Sequence, residues 1–208
     1  MNLEEVSNML TRRSLLAGAT ALVSSIMLAA TNPALAHDSK QFKLKRKYLP
    51  QRVSFRGYAP GTIVVDPRNH FLYLVESRTK ARRYGVGVGK AGLTFKGTAT
   101  IRRKAKWPSW TPTKNMIRRS PEKYAKFAGG VPGGPGNPLG ARALYLYKDG
   151  RDTLFRIHGT NRPHSIGKAA SSGCFRMINQ DVIDLYERVP PGAEVYVRQT
   201  VKQRVANR

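Results

Sequence analysis

A single cysteine, Cys174, stands in a chain of 208 residues, and carboxylates are scarce: 12 Asp and Glu against 37 Lys and Arg. One cysteine excludes an internal disulfide framework. Four scattered His beside that one Cys offer no metal-ligand spacing, so neither a metal nor any other cofactor is expected. A long apolar run is missing too. The longest, Leu15 to Ala30, has 16 residues and includes Gly18, which is too short for a membrane-spanning helix. No phosphate loop is present either: Gly85-Val86-Gly87-Val88-Gly89 leads into Lys90-Ala91-Gly92 rather than into a helix. The shortage of acid leaves a formal net charge of +25, which points to an anionic polymer or surface as partner.

What is there begins with an address. Arg12-Arg13 precede the short apolar run, and Ala34-Leu35-Ala36 supplies a small-residue cleavage site, so residues 1–36 read as a signal peptide. The paired arginines of Thr11-Arg12-Arg13-Ser14-Leu15-Leu16 suit the twin-arginine route, with an ordinary Sec signal as the alternative. Two Arg and two Glu cancel in that segment, so the whole excess charge belongs to the mature chain. Between Lys96 and Lys126 lie ten basic residues and one acid, Glu122, interleaved with Trp107 and Trp110. In a cytoplasmic protein that pattern would suggest nucleic acid. An exported protein rarely meets it, so no nucleic acid is expected, and electrostatic association with anionic envelope polymers is the better reading.

Residues 37–59 are basic and poorly patterned and read as a loosely ordered lead-in, with the domain starting near Pro60. Thr62 to Val65, the turn cluster Asp66-Pro67-Arg68-Asn69 and the run from His70 to Val75 predict a hairpin. Further strands are expected over 84–89, 97–101, 143–147, 153–157 and 194–197. Trp107 and Trp110 sit in a proline-broken loop as aromatic anchors. Residues 129–140, with six Gly and three Pro, predict an ordered loop at the rim of a site. One clear helix follows Cys174: Asn179 is the expected N-cap, and Asp181 and Asp184 suit the positive end. Val182, Ile183, Leu185, Tyr186 and Val189 form its apolar stripe before Pro190-Pro191-Gly192. Short, closely spaced strands and a late helix predict a mostly β domain over 60–198, with a basic tail at 199–208.

Two segments carry chemistry: Ile157-His158-Gly159-Thr160-Asn161 and Ser171-Ser172-Gly173-Cys174-Phe175-Arg176-Met177. Cys174 is either a buried small apolar residue or a nucleophile, and its neighbours favour the nucleophile. A thiol attacks a carbonyl as thiolate, and a nearby imidazole can take its proton and return it to a leaving amine. His158 ends a strand and Cys174 follows 16 residues later on a glycine-preceded turn, so both can face one pocket. Gly173 permits a sharp turn beside the nucleophile, and the N–H groups of Gly173 and Cys174 are candidate oxyanion donors. Arg176 is a solvated charge, a means of lowering the thiol pKa, or a holder of a substrate carboxylate. His164, in the loop between, is expected to face water.

These segments resemble the signature of the L,D-transpeptidase (YkuD-type) catalytic domain, a His-Gly strand end followed by Ser-x-Gly-Cys-apolar-Arg. The likeness extends over about residues 60–198, through the Trp107–Pro112 segment, the Gly/Pro loop and Ile166-Gly167. The resemblance implies a mostly β, sandwich-like fold with one or two short helices and the cysteine in a cleft under a lid. It implies Cys174 as nucleophile, His158 as base and Gly159 as the residue whose carbonyl orients the imidazole. Ser171, Ser172, Gly173 and Arg176 match pocket-shaping positions. Ser172 stands where many members carry His, and Phe175 where Ile is more usual. The implied reaction is thioester formation with the third residue of a peptidoglycan tetrapeptide stem, release of D-Ala, and transfer to an amine in the periplasm or cell envelope. The acceptor stays open between a second stem peptide, an envelope protein and water. A monomer is expected.

Overall fold

The computed structural model describes residues 42–199. The segment read as a signal peptide, the first residues of the lead-in and the tail beyond 199 lie outside the described residues.

The strands are β1 (Gln51–Ser54), β2 (Ile63–Asp66), β3 (Phe71–Val75), β4 (Lys80–Gly85), β5 (Val88–Gly89) and β6 (Gly97–Lys106). Helices α1 (Lys114–Arg119) and α2 (Pro121–Tyr124) come next, then β7 (Arg142–Lys148), β8 (Arg151–His158), β9 (Ala169–Ser171) and β10 (Phe175–Arg176). Helix α3 (Asn179–Arg188) and β11 (Glu194–Val197) complete the domain. Nine strands form one sheet in the order β1-β4-β3-β2-β11-β6-β7-β8-β10, and β5 pairs with β9 apart from it. Ile63, Leu72 and Tyr84 from one half share a buried cluster with Leu144, Ile157 and Phe175 from the other. The sheet therefore wraps its own core, sandwich-like, as expected. Each fully buried aliphatic side chain in it contributes about 1.5–3 kcal/mol.

Local sequence explains the pattern. Ile63, Val64 and Val65 are all fully buried, which suits a β-branched run at the centre of a sheet. In β3, Leu72 and Leu74 point to the core while Phe71 and Tyr73 are half-buried on the other face, the period-two alternation of a strand. Helix α3 buries Val182 and Leu185, and Lys104 Nζ donates to the carbonyls of Tyr186 and Val189 at its C-terminal end (2.6 and 2.7 Å), where a cation suits both the free acceptors and the dipole. Tyr84 Oη donates to Asp184 Oδ2 (2.7 Å), tying the helix to β4.

Three readings change. The lead-in at 37–59 is not loose throughout: β1 lies inside it and pairs antiparallel with β4. Phe55 stacks on Tyr73 with 4.4 Å between ring centroids. Tyr48 is buried, and a Cβ placed on Gly167 would land on its ring, so the lead-in is packed against the loop that follows His158. Helices α1 and α2 replace part of the basic stretch after Trp110, giving three helices rather than one or two. Asn179 is not the N-cap. Ile178 occupies that position without a side-chain bond, and Asn179 is the first helical residue. Asp181 lies in the first turn of α3, as expected, and is buried; burial followed by the Asp184 charge pushes its pKa up to about 6.

Candidate functional site

Strand β8 ends on His158, and β10 runs parallel beside it in the register Phe175↔Ile157 and Arg176↔His158. Parallel neighbours need a crossover. Residues 159–174 supply it and return the chain so that Cys174 arrives one residue before β10. Ile157 and Phe175, both fully buried, fix the two strands to the core beneath the polar residues. The backbone of Arg176 exchanges two bonds with Gly87 (2.8 and 2.9 Å), so the glycine-rich segment braces the far side of β10.

His158 is only 4% exposed. Its Nδ1–H donates to the carbonyl of Gly159 at 2.6 Å, which leaves Nε2 as the unprotonated nitrogen of the neutral ring. Burial, then the positive charge of Arg176, pushes its pKa down to about 3. Burial likewise pushes the thiol of Cys174 up, against the lowering effect of the Arg156 backbone and the charges of Arg156 and Arg176. At neutral pH the two groups therefore rest as thiol and imidazole, both uncharged. The half-buried thiol donates to the carbonyl of Leu154 (3.8 Å) and makes no hydrogen bond to His158. Leu154 has φ 62°, and this left-handed kink in β8 turns its carbonyl toward the sulfur.

The turn that carries Cys174 is braced by Ser171, whose Oγ accepts from Gly173 N–H (3.0 Å) and donates to the Cys174 carbonyl (2.7 Å). The Gly173 N–H is thus already committed and cannot serve an oxyanion as expected. The Cys174 N–H has no protein acceptor among the described residues. Ser172 reaches the other way: its Oγ bonds the phenol of Tyr124 in α2 at 2.9 Å. Burial of Tyr124 works against its ionisation, but that bond and the charges of Lys123 and Arg176 outweigh it and lower the pKa.

A cavity of about 610 Å³ joins these parts. Cys174, His158, Ser171, Ser172 and Arg176 line one side. Trp110, Met116, Tyr124 and Phe127 roof it, with Trp110 packed edge-on against Phe127 at 5.8 Å. Val131, Pro138 and Leu139 of the Gly/Pro segment form the rim. That segment is pinned by Asn137 Nδ2, which donates to the carbonyls of Val131 and Pro132 (2.9 Å each). Trp110 is an anchor as expected, whereas Trp107 is 45% exposed. His164 lies exposed in a short turn and is absent from the lining. No group of metal-ligating side chains forms among the described residues.

Sequence reasoning did not place the helices that form the lid, and it gave Asn179 a different role. The signals for α1 were present: Thr113 is its N-cap, and its Oγ1 accepts from Met116 N–H (3.2 Å). Pro121 sits in the first turn of α2. Asn179 gave no local signal because its role is tertiary. Its Oδ1 accepts from both Ala141 N–H and Thr160 N–H at 3.1 Å, clamping the two segments that flank Gly159. Asn179→Ala leaves two N–H groups without a partner and should lower stability by about 2–4 kcal/mol, read as a fall in the urea midpoint. An unchanged midpoint would mean that water replaces the clamp without loss.

The model of the YkuD L,D-transpeptidase catalytic domain matches residues 60–197. The Escherichia coli (strain K12) protein named Probable L,D-transpeptidase ErfK/SrfK is 38% identical over 153 residues, covering 72% of this chain and 47% of that protein. Probable L,D-transpeptidase YbiS of the same strain is 38% identical over 120 residues, 56% of this chain and 38% of that protein. The chain thus spans about half the length, or less, of these relatives. A crystal structure from Brucella melitensis, described as a probable carnitine operon oxidoreductase, is 59% identical with a TM-score of 0.52, covering 74% of this chain and 96% of that one. L,D-transpeptidase 3 from Mycobacterium tuberculosis, at 14% identity, TM-score 0.50 and 66% and 60% coverage, shares the fold. With its core, both signature segments and the lid inside the matched region, the chain belongs to the YkuD L,D-transpeptidase catalytic-domain family.

Proposed function

We propose that the chain is an exported, cysteine-dependent L,D-transpeptidase of the periplasm or cell envelope that makes 3-3 cross-links in peptidoglycan. The observation that carries this reading is the meeting of the Cys174 thiol and a neutral His158 in one cavity with Arg176 and no carboxylate in its lining. In the first step His158 Nε2 takes the thiol proton as Sγ attacks the carbonyl of the third residue in a tetrapeptide stem. The Cys174 N–H is aimed at the oxygen that gains charge. His158 then gives the proton to the departing D-Ala amine, leaving a thioester. An amine attacks that thioester, the C–S bond breaks, and the thiol is restored. Arg176 holds a substrate carboxylate beside the sulfur. Because the thiol begins on the Leu154 carbonyl, it must rotate toward His158 before attack, a rearrangement that substrate binding drives.

The test is intact mass of the protein mixed with a disaccharide-tetrapeptide. The expected result is a transient adduct on the protein, free D-Ala, and a peptide dimer lacking one D-Ala. Folded protein that gives neither adduct nor D-Ala would overturn the assignment.

A further inference from the structure

Five cationic side chains and no carboxylate line the cavity. Arg176 is half-buried beside Cys174, whereas Arg119, Lys123, Lys126 and Arg162 are exposed and stand around the solvent side. None of the five joins an ion pair among the described residues, although Arg52, Arg82, Arg156, Arg188 and Arg198 all find carboxylates. The protein's own nearby acids do not neutralise this ring. Asp152, whose charge is felt at Cys174, is held by both Arg156 nitrogens at 2.6 and 2.8 Å. Glu122 is exposed on α2 and lies outside the lining. Arg119, Lys123 and Lys126 come from α1, α2 and the turn after it, so three of the four exposed cations belong to the lid.

The reaction proposed above needs two peptides, a donor and an amine-bearing acceptor. Arg176 lies on the side of the nucleophile and suffices for the donor carboxylate. That leaves the lid cations available to a second peptide in the same cavity. A lysine-like amine, with a pKa of about 10.4, reaches the cavity as a cation and is repelled there unless its carrier brings negative charge. Resting on the transpeptidase reading, we infer that Arg119, Lys123 and Lys126 select the acceptor by charge: they take an amine borne on an acidic peptide with two or more free carboxylates, and reject neutral or lysine-rich carriers. The amine nitrogen bonds the acyl carbon, the C–S bond breaks, and the surplus amine proton passes through His158 to the sulfur.

The experiment compares two acceptors that differ only in amidation of their carboxylates, with one tetrapeptide donor. Adduct mass and D-Ala release report acylation, and dimer formation reports transfer. The acidic acceptor should be used about tenfold faster at low salt, as three partly screened ion pairs allow, and the advantage should shrink as salt is added. In the Arg119→Gln, Lys123→Gln, Lys126→Gln triple variant the ratio should fall to within about twofold. A control with the same loss of charge, Arg68→Gln, Arg78→Gln, Lys80→Gln, changes exposed residues outside the cavity and should keep the preference. A ratio near one in the unmodified protein, or an equal fall in the control, overturns the inference and leaves the enzyme reading standing. A donor that forms no adduct overturns both.

Discussion

Cys174→Ala should abolish adduct, D-Ala release and dimer together, and His158→Ala should lower the rate of acylation by roughly 10² to 10⁴. In the proposed reaction the two losses differ in kind, because one removes the bonding atom and the other removes the proton carrier. The pH dependence is set by the burial of the pair. Burial holds the His158 pKa down to about 3, so the imidazole stays an available base through mildly acidic pH and fails only as pH approaches that value. The thiol is displaced in the opposite direction, so its ionised form accumulates only on the alkaline side of the ordinary thiol range. Alkylation of Cys174 by iodoacetamide should therefore rise in a single alkaline step. A reactive plateau near pH 5 would instead reveal a resting thiolate–imidazolium pair and contradict the burial argument. The same displacement bears on stability. A histidine with a depressed folded-state pKa is protonated first in the unfolded chain, so its contribution is lost as pH falls from the unfolded value of about 6.5 toward 3.

The second large effect is expected from one added methyl group. Gly173 has φ 137°, a region that costs a non-glycine residue about 1–3 kcal/mol. A Cβ there would also stand 2.6 Å from the Phe155 ring and 2.7 Å from the Leu93 carbonyl, and a carbonyl fixed in the backbone cannot step aside as a flexible side chain can. Relieving that overlap adds about 1–3 kcal/mol. Gly173→Ala should therefore cost about 3 kcal/mol or more in urea unfolding, and should remove activity even in the fraction that folds. The second part follows because the turn is held by Ser171 on both sides of this residue, so any shift at Gly173 moves the sulfur. A variant with an unchanged midpoint and full adduct formation would show that the turn relaxes freely.

The sequence signals that proved readable are those in which a local preference and a tertiary role coincide. Ile63-Val64-Val65 is β-branched and buried at the centre of the sheet, and the stripe of Val182 and Leu185 has the helical period and faces the core. The placing of His158 and Cys174 in one cavity was legible because a strand end and a glycine turn are short-range features. What escaped had a different origin. Strand β1 is an edge strand, exposed or half-exposed along its length, so Gln51-Arg52-Val53-Ser54 shows no alternation to read. Helices α1 and α2 bury no residue fully and so lack an apolar stripe. Asn179 looked like a cap because asparagine is a good one, yet its oxygen was needed by two N–H groups far away in the chain. The commitment of the Gly173 N–H to Ser171 likewise depends on a side-chain rotamer that no spacing reveals.

The position of β11 carries one more meaning. It lies between β2, its parallel neighbour, and β6, its antiparallel one, and so joins the two halves of the nine-stranded sheet, β1 to β4 on one side and β6, β7, β8 and β10 on the other. Until Glu194–Val197 have emerged, the nine-stranded sheet consists of two halves, with β2 and β6 each presenting an unpaired edge. Chains interrupted before that strand should expose their apolar faces and aggregate rather than persist as partly working fragments. In this topology the last of the described strands to be made is the one that closes the sheet.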